Sequence, residues 1–221
     1  LAKDLKPNRI EALKRVAAQF IQQRASDRIG IVVYSGESYT KVPATTDKSI
    51  VLQALKEIRQ GEIEDGTAIG MGLGTAINRL KDSKTKSKVI ILMTDGVNNT
   101  GVIDPLSAAE LAKEYGIRVY TIGIGTNGKA LSPVAYNPDG SFQYDMVPVE
   151  IDEKLLAEIS KITGGKYFRA TDNNKLAQIY TEIDKLEKSK IEELKYYQHQ
   201  ENFRLWAILA LVFLVGEFGL R

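Results

Sequence analysis

One stretch decides the fold: Val89-Ile90-Ile91-Leu92-Met93-Thr94-Asp95-Gly96. Its first five residues are apolar without a break, which is typical of a parallel strand covered on both sides by helices. The apolar run stops at the carboxylate of Asp95, so we place that residue where the strand becomes a loop. In open α/β sheets, ligands bind beyond the carboxyl ends of the strands, and Asp95 lies on that rim. The plainer alternative is a turn aspartate that starts the loop before Gly96.

Strands and helices alternate on both sides of this stretch. The apolar patterns predict strands over 29–34, 117–124 and 166–169, and an edge strand over 38–42 that pairs antiparallel with the first. Helices are predicted from Pro7 to Ile21, after the caps Asp47 and Asp152, over 69–80 and 106–115, and from Asp172 onward. We therefore predict an α/β fold with a doubly wound, mainly parallel sheet and a long C-terminal helix.

Composition excludes several classes of function. The chain has 221 residues, 43% hydrophobic and 26% charged, which is enough for one sizeable core and not typical of a disordered protein. Its net charge of +2 gives no long-range field for nucleic acid. The absence of cysteine removes disulfides and thiolate metal sites, and the single histidine, His199, excludes a multi-histidine zinc site.

A second oxygen donor, Thr67, opens the helix that precedes the Asp95 strand. A hydroxyl and a carboxylate at one edge of a sheet are the hard oxygen ligands that Mg²⁺ prefers. Enzymatic alternatives find little support. The chain has no Gly-x-Ser-x-Gly elbow and no phosphate-binding Gly-x-x-x-x-Gly-Lys loop, and its one histidine is remote from Asp95 in sequence. We predict no catalytic residues and no nucleotide cofactor.

The helix and strand pattern breaks between Gly125 and Glu150. Prolines interrupt this segment, and Asn137-Pro138-Asp139-Gly140 predicts a tight turn, so we interpret it as a hairpin-like insertion. The glycines of Gly123 to Gly128 match the dinucleotide fingerprint. That fingerprint requires a helix beginning at its glycines, whereas Pro133 and an aperiodic segment follow, so we interpret the match as accidental.

The end of the chain is apolar. No proline or glycine occurs from Asp172 until Gly216, which predicts a largely continuous helix over 172–202. Leu205 to Val215 is an uncharged run of about eleven residues, against the roughly twenty of a full membrane span. Including 203–220 approaches that length if Arg204 snorkels and Glu217 lies at an interface. Membrane contact is our leading interpretation, and a buried terminal helix is the alternative.

Two segments resemble a known family. Asp65-Gly66-Thr67-Ala68-Ile69-Gly70-Met71-Gly72-Leu73, followed by Ile91 to Gly96, is similar to the second and third parts of the metal-ion-dependent adhesion site of von Willebrand factor A domains. The resemblance implies that the hydroxyl of Thr67 ligates a divalent cation and that Asp95 ligates it directly or through water. It also implies a metal with an open position that a partner's carboxylate fills.

A finer resemblance is to the membrane-anchored Bacteroides aerotolerance (Bat) family, of the BatA type. It is carried by residues 150–153, by 162–172 (Ile-Thr-Gly-Gly-Lys-Tyr-Phe-Arg-Ala-Thr-Asp) and by 179–188. It implies a domain at the bacterial inner membrane, single-pass or more in the full protein and facing the periplasm. The implied partners are other Bat-type membrane proteins and a MoxR-type ATPase system.

The chain also departs from the family pattern. The first motif, Asp-x-Ser-x-Ser on the first central strand, is absent, and the resemblance places it immediately before Leu1. We therefore expect a fold that lacks this strand. One hydroxyl and one carboxylate are too few to hold Mg²⁺ or Mn²⁺ tightly in this chain, although the complete protein would bind the ion.

Three functions follow as hypotheses. The first is a membrane-anchored, non-enzymatic domain for cation-dependent protein interaction in an envelope assembly linked to stress or aerotolerance. The second is a structural membrane tether with a vestigial metal site, and the third, less favoured, is an α/β hydrolase. We divide the chain into a von Willebrand factor A-type domain (1–185), a helical connector (186–202) and an apolar membrane-associated segment (203–221).

Overall fold

The computed structural model describes residues 5–125, 128–136 and 142–197. Strands and helices alternate through most of these residues, as the sequence predicts. The elements are α1 (Arg9–Gln23), β1 (Ile29–Tyr34), β2 (Ser38–Thr45), α2 (Lys48–Glu57), α3 (Ile69–Leu80), β3 (Lys88–Thr94), α4 (Pro105–Glu114), β4 (Ile117–Ile124), β5 (Gly128–Tyr136), β6 (Phe142–Val149), α5 (Glu153–Ile162), β7 (Tyr167–Ala170) and α6 (Asn173–Tyr197).

The parallel part of the sheet has the order β3-β4-β7. β4 pairs with β3 from Lys88↔Ile117 to Thr94↔Gly123, and with β7 from Thr121↔Tyr167 to Ile124↔Ala170. Helices connect these strands, as parallel neighbours require. The predicted α/β fold with a parallel sheet flanked by helices is confirmed.

β1 and β2 form a separate antiparallel ribbon through the Ser35-Gly36-Glu37 turn. Within the described residues, no strand pairs with the edge of β1 or of β3 that faces away from its partner. One side chain joins the two: the Tyr34 hydroxyl donates to the backbone carbonyl of Met93 at 2.7 Å. α3 packs against both β1 and β3, so a helix and a tyrosine hold the ribbon beside the parallel sheet.

The core lies around β4, whereas β1 and β3 are less buried than their sequences predict. Ile117, Val119, Ile122 and Ile124 of β4 are all buried, with α3, α4 and α5 packed against the strand or its neighbours. The sequences of β1 and β3 each predict a buried strand. Instead, β1 has no fully buried residue, and β3 alternates between buried and half-buried positions. Within the described part of the chain, each of these two strands pairs with one neighbour, which leaves part of its surface accessible.

The helix caps follow local chemistry. Asp47 accepts hydrogen bonds from the amides of Ser49 and Ile50, and Asp152 accepts one from Leu155, as predicted. The start of α1 is a correction. Pro7 lies outside the helix, because Asn8 is the N-cap and accepts a hydrogen bond from the Glu11 amide. An asparagine side chain satisfies a free amide, which proline cannot do.

The insertion and the C-terminal helix agree with prediction as far as they are described. β5 and β6 form an antiparallel hairpin, although the predicted turn over 137–140 lies outside the described residues. The chain groups into two units, 1–183 and 184–221, and α6 is helical through Tyr197. Among the described helices, none has the length and apolar character needed to span a bilayer. The apolar segment 203–221 lies outside the described residues.

Candidate functional site

Asp95 lies on the rim that the sequence predicts, directly after the last residue of β3. Its side chain is 55% exposed. Thr67 lies in the loop before α3, which begins at Ile69. A Cβ placed on Gly96 would be 3.2 Å from the Thr67 hydroxyl oxygen, so this hydroxyl lies against the loop that Asp95 begins. The structure thus brings the Thr67 loop and the Asp95 loop together.

Two asparagines fix these loops to each other. The Asn98 side-chain oxygen accepts from the Ile69 amide at 2.8 Å, and the Asn99 side-chain oxygen accepts from the Thr67 amide at 2.8 Å. The Asn99 amide donates back to the Thr67 carbonyl at 3.1 Å. α3 has no side-chain cap of its own, so the loop after β3 supplies one.

A third loop completes the rim. The Ser35 hydroxyl donates to the Gly66 carbonyl at 3.0 Å, and the Ala68 amide donates to the Ser35 carbonyl at 2.7 Å. Gly66 has a φ of 150°, and a Cβ there would be 2.7 Å from the Thr100 hydroxyl oxygen. Glycine is required here, because other residues rarely adopt this positive φ and their Cβ would clash with Thr100. The β1–β2 turn, the Thr67 loop and the loop after β3 therefore form one hydrogen-bonded surface.

The partner of Asp95 was not predicted. A guanidinium nitrogen of Arg9 donates to the Asp95 carboxylate and to the Asp95 carbonyl, both at 3.2 Å. The Arg9 side chain is only 6% exposed. Eighty-six positions separate the two residues, and no local pattern in the sequence marks such a pair.

Tyr34 lies beside the same strand end. Burial raises the pKa of its phenol well above the ordinary value; a hydrogen bond with Thr94 opposes the shift, and the charge of Asp95 adds to it. The hydroxyl therefore keeps its proton, which it donates to the Met93 carbonyl. Tyr34 accordingly acts here as a structural donor.

The predicted metal ligands do not fit a tightly held ion by themselves. Mg²⁺ prefers octahedral oxygen coordination, whereas the two predicted ligands supply one hydroxyl and one carboxylate. The carboxylate already accepts from Arg9. Among the residues that the structure describes, no three His, Cys, Asp or Glu side chains gather where they could share an ion.

The structure supports the interpretation that the match of Gly123 to Gly128 to the dinucleotide fingerprint is accidental. Gly123 lies in β4 and Gly128 begins β5, so the glycine that should open a helix opens a strand. A pyrophosphate would find no helix N-terminus at Gly128.

A parallel α/β sheet whose loops meet beyond the carboxyl ends of its strands is typical of domains that bind ligands at that edge. This chain belongs to the von Willebrand factor type A domain family, whose family model matches residues 3–182. The predicted family is therefore confirmed.

Similar proteins and solved structures show which members of the family this chain resembles. The chain is 32% identical over 166 residues to a protein of Borreliella burgdorferi, covering 75% of this chain and 48% of the relative. Among solved structures, BatB from Bacteroides thetaiotaomicron is 30% identical with a TM-score of 0.72, covering 85% of this chain and 93% of that one. An aerotolerance-related membrane protein from Bacteroides fragilis is 26% identical with a TM-score of 0.69, covering 82% and 90%. The resemblance to Bat proteins is thus confirmed, although the chain spans about half the length of the curated relatives it matches.

Proposed function

We propose that this chain is a non-enzymatic protein-interaction domain whose binding surface is the rim formed by the three loops. The observation that carries the proposal is the pinning of these loops by Asn98 and Asn99, which presents a half-exposed Asp95 on a fixed frame. Val102, in the same loop, is 95% exposed. Loops held by a rigid scaffold commonly carry recognition, and the exposed Val102 is accessible to a partner there.

The proposal includes a divalent cation in the complete protein. Thr67 and Asp95 would contribute a hydroxyl and a carboxylate to Mg²⁺ or Mn²⁺, with the remaining oxygens supplied by an Asp-x-Ser-x-Ser strand and by water. A partner's carboxylate would take the open position. The membership of the family and the placement of both residues at one rim support this part of the proposal.

We also propose a location and partners. Residues 186–202 would connect the domain to an apolar anchor over 203–221 in a bacterial inner membrane, with the domain on the periplasmic side. Other Bat-type membrane proteins and a MoxR-type ATPase system are the proposed partners, in an assembly linked to stress or aerotolerance. The support is the likeness to BatB and to an aerotolerance-related membrane protein.

One structural observation favours a second candidate, a membrane tether whose metal site is vestigial. The Arg9 guanidinium already pairs with the Asp95 carboxylate, so this carboxylate has a positively charged partner without an ion.

The test compares this chain with a version extended by an Asp-x-Ser-x-Ser strand, each immobilised and exposed to solubilised membranes. The extended protein should retain Bat-type proteins in Mg²⁺ and release them in EDTA, and Asp95→Ala should abolish this retention. Asp82→Ala is the matched control, because Asp82 is an exposed aspartate near the amino end of β3. Retention unaffected by EDTA and by Asp95→Ala would favour the tether, and no retention of Bat-type proteins would refute both candidates.

A further inference from the structure

The strongest unexplained feature of the rim is a buried arginine in contact with the residue expected to ligate a metal. Arg9 is the first residue of α1, and its side chain is 6% exposed, whereas that of Asp95 is 55% exposed. A buried guanidinium is costly unless it is paired and hydrogen-bonded. Asp95 supplies both a carboxylate oxygen and a carbonyl oxygen to it at 3.2 Å.

The position of Arg9 is fixed by contacts that do not involve Asp95. Leu5 is buried, with 1% exposure, and the Asn173 side-chain amide donates to the Lys6 carbonyl at 2.8 Å. Asn8 then caps α1 through the Glu11 amide at 2.9 Å. The segment before α1 is therefore anchored on both sides, and this anchoring directs the first helical residue towards the end of β3.

A guanidinium and a divalent cation compete for the same carboxylate. Both are positive, so a metal ion bound at Asp95 beside Arg9 would meet a like charge at close range. The charge on Asp95 is already balanced, which lowers its attraction for a further cation. The poor fit of the rim to a metal ion thus has a cause besides the small number of ligands.

We propose that Arg9 is the resident cation of the rim: its guanidinium takes the place of a divalent ion at Asp95 and competes with it. The proposal rests on the proposed function only in taking Asp95 as the carboxylate that an ion would bind. Its consequence is that an ion binding at Asp95 must overcome the positive charge of Arg9, which already bonds one oxygen of that carboxylate. The device would keep the Asp95 carboxylate paired with a positive charge in the absence of metal.

The test measures Mn²⁺ binding to the 221-residue chain by water-proton relaxation, which detects weak binding. Arg9→Met removes the charge and keeps an unbranched apolar side chain in its place. We expect Arg9→Met to bind Mn²⁺ at least tenfold more tightly than the unaltered chain, and Arg9→Lys, which keeps the charge, to gain less. Adding Asp95→Asn to Arg9→Met should remove the gain.

Arg15→Met is the matched control, because Arg15 is exposed on the same helix and its replacement changes the net charge equally. A gain in Arg15→Met equal to that in Arg9→Met would overturn the proposal, since it would show a general charge effect. A gain that survives Asp95→Asn would overturn it as well, because the ion would then bind elsewhere.

A second measurement serves if Arg9→Met does not fold. Asp95→Asn alone should lower the melting temperature, and by the same amount in EDTA and in Mn²⁺, because Arg9 and not a metal is its partner. No change in melting temperature, or a change seen only in Mn²⁺, would refute the proposal. Failure of the membrane retention experiment with a preserved Mn²⁺ gain in Arg9→Met would reject the proposed partners and leave this inference standing.

Discussion

The two edges of β3 are held by different means. On one side, β4 pairs with all seven residues of β3, and the partner strand is almost completely buried. On the other side, β1 is joined to β3 by the Tyr34 hydroxyl and by α3, which packs on both strands. The difference shows that an apolar strand sequence indicates that a strand can be buried. How much of it is buried depends on the strands that pair with it.

Core truncations should give the largest contrast between the two sides. Ile122→Ala in β4 removes a fully buried side chain and should lower the free energy of unfolding by about 3 to 4 kcal/mol. Ile31→Ala in the half-buried β1 should cost about 1 to 2 kcal/mol, since less apolar area is lost. Urea denaturation of the two variants checks the prediction. Equal losses would mean that β1 belongs to the core as fully as β4 does.

A glycine pair in α3 tests the helix that joins β1 to β3. A Cβ on Gly70 would be 1.9 Å from the Ile103 carbonyl oxygen, so Gly70→Ala must displace backbone and should cost about 2 to 3 kcal/mol. At Gly74, the nearest atom is the terminal methyl of Ile103 at 3.1 Å. Gly74→Ala should stay within about 1 kcal/mol of the unaltered chain, because the gain in helix propensity offsets the tight contact. Thermal unfolding of both variants measures the difference, and similar losses would show that α3 can shift away from the loop.

The tyrosine bridge should have the smallest effect. Tyr34→Phe leaves the Met93 carbonyl without its donor and should cost about 1 to 2 kcal/mol. Tyr39→Phe is the control, because the Tyr39 hydroxyl bonds Glu62 at the surface at 2.8 Å, and its loss should stay within about 0.5 kcal/mol. Chemical denaturation of both variants compares them. A loss in Tyr34→Phe no larger than in Tyr39→Phe would show that the Tyr34 hydrogen bond contributes little to joining the strands.

The order of the elements could be predicted from the sequence because its signals are local. The bounds of β4 were predicted as Ile117 to Ile124, and Asp47 and Asp152 act as the expected N-caps. Asp95 follows β3 as predicted, since an apolar run that ends at a carboxylate marks the end of a buried strand. These are consequences of residues within a few positions of each other.

The missed features are contacts between distant segments. Arg9 reads as an ordinary charged residue at the start of a helix, and only the folded chain places it against Asp95. Asn98 and Asn99 read as loop residues, although they bond amides about thirty positions earlier. One weak signal for the two asparagines exists in the sequence: Ala68, the residue before α3, has no side chain that could cap the helix. The first amides of a helix have no partner within the helix, so another segment must supply their acceptors.

The asparagine caps also determine how the rim opens. The amide protons of Thr67 and Ile69 are bonded to side chains of the loop after β3, and not within their own segment. Exchange of these two protons with solvent therefore requires that loop to detach, so the Thr67 loop and the 95–104 loop open as one local unfolding unit. A ligand that contacts either loop slows the exchange of both, and the rim responds to binding as a single cooperative element.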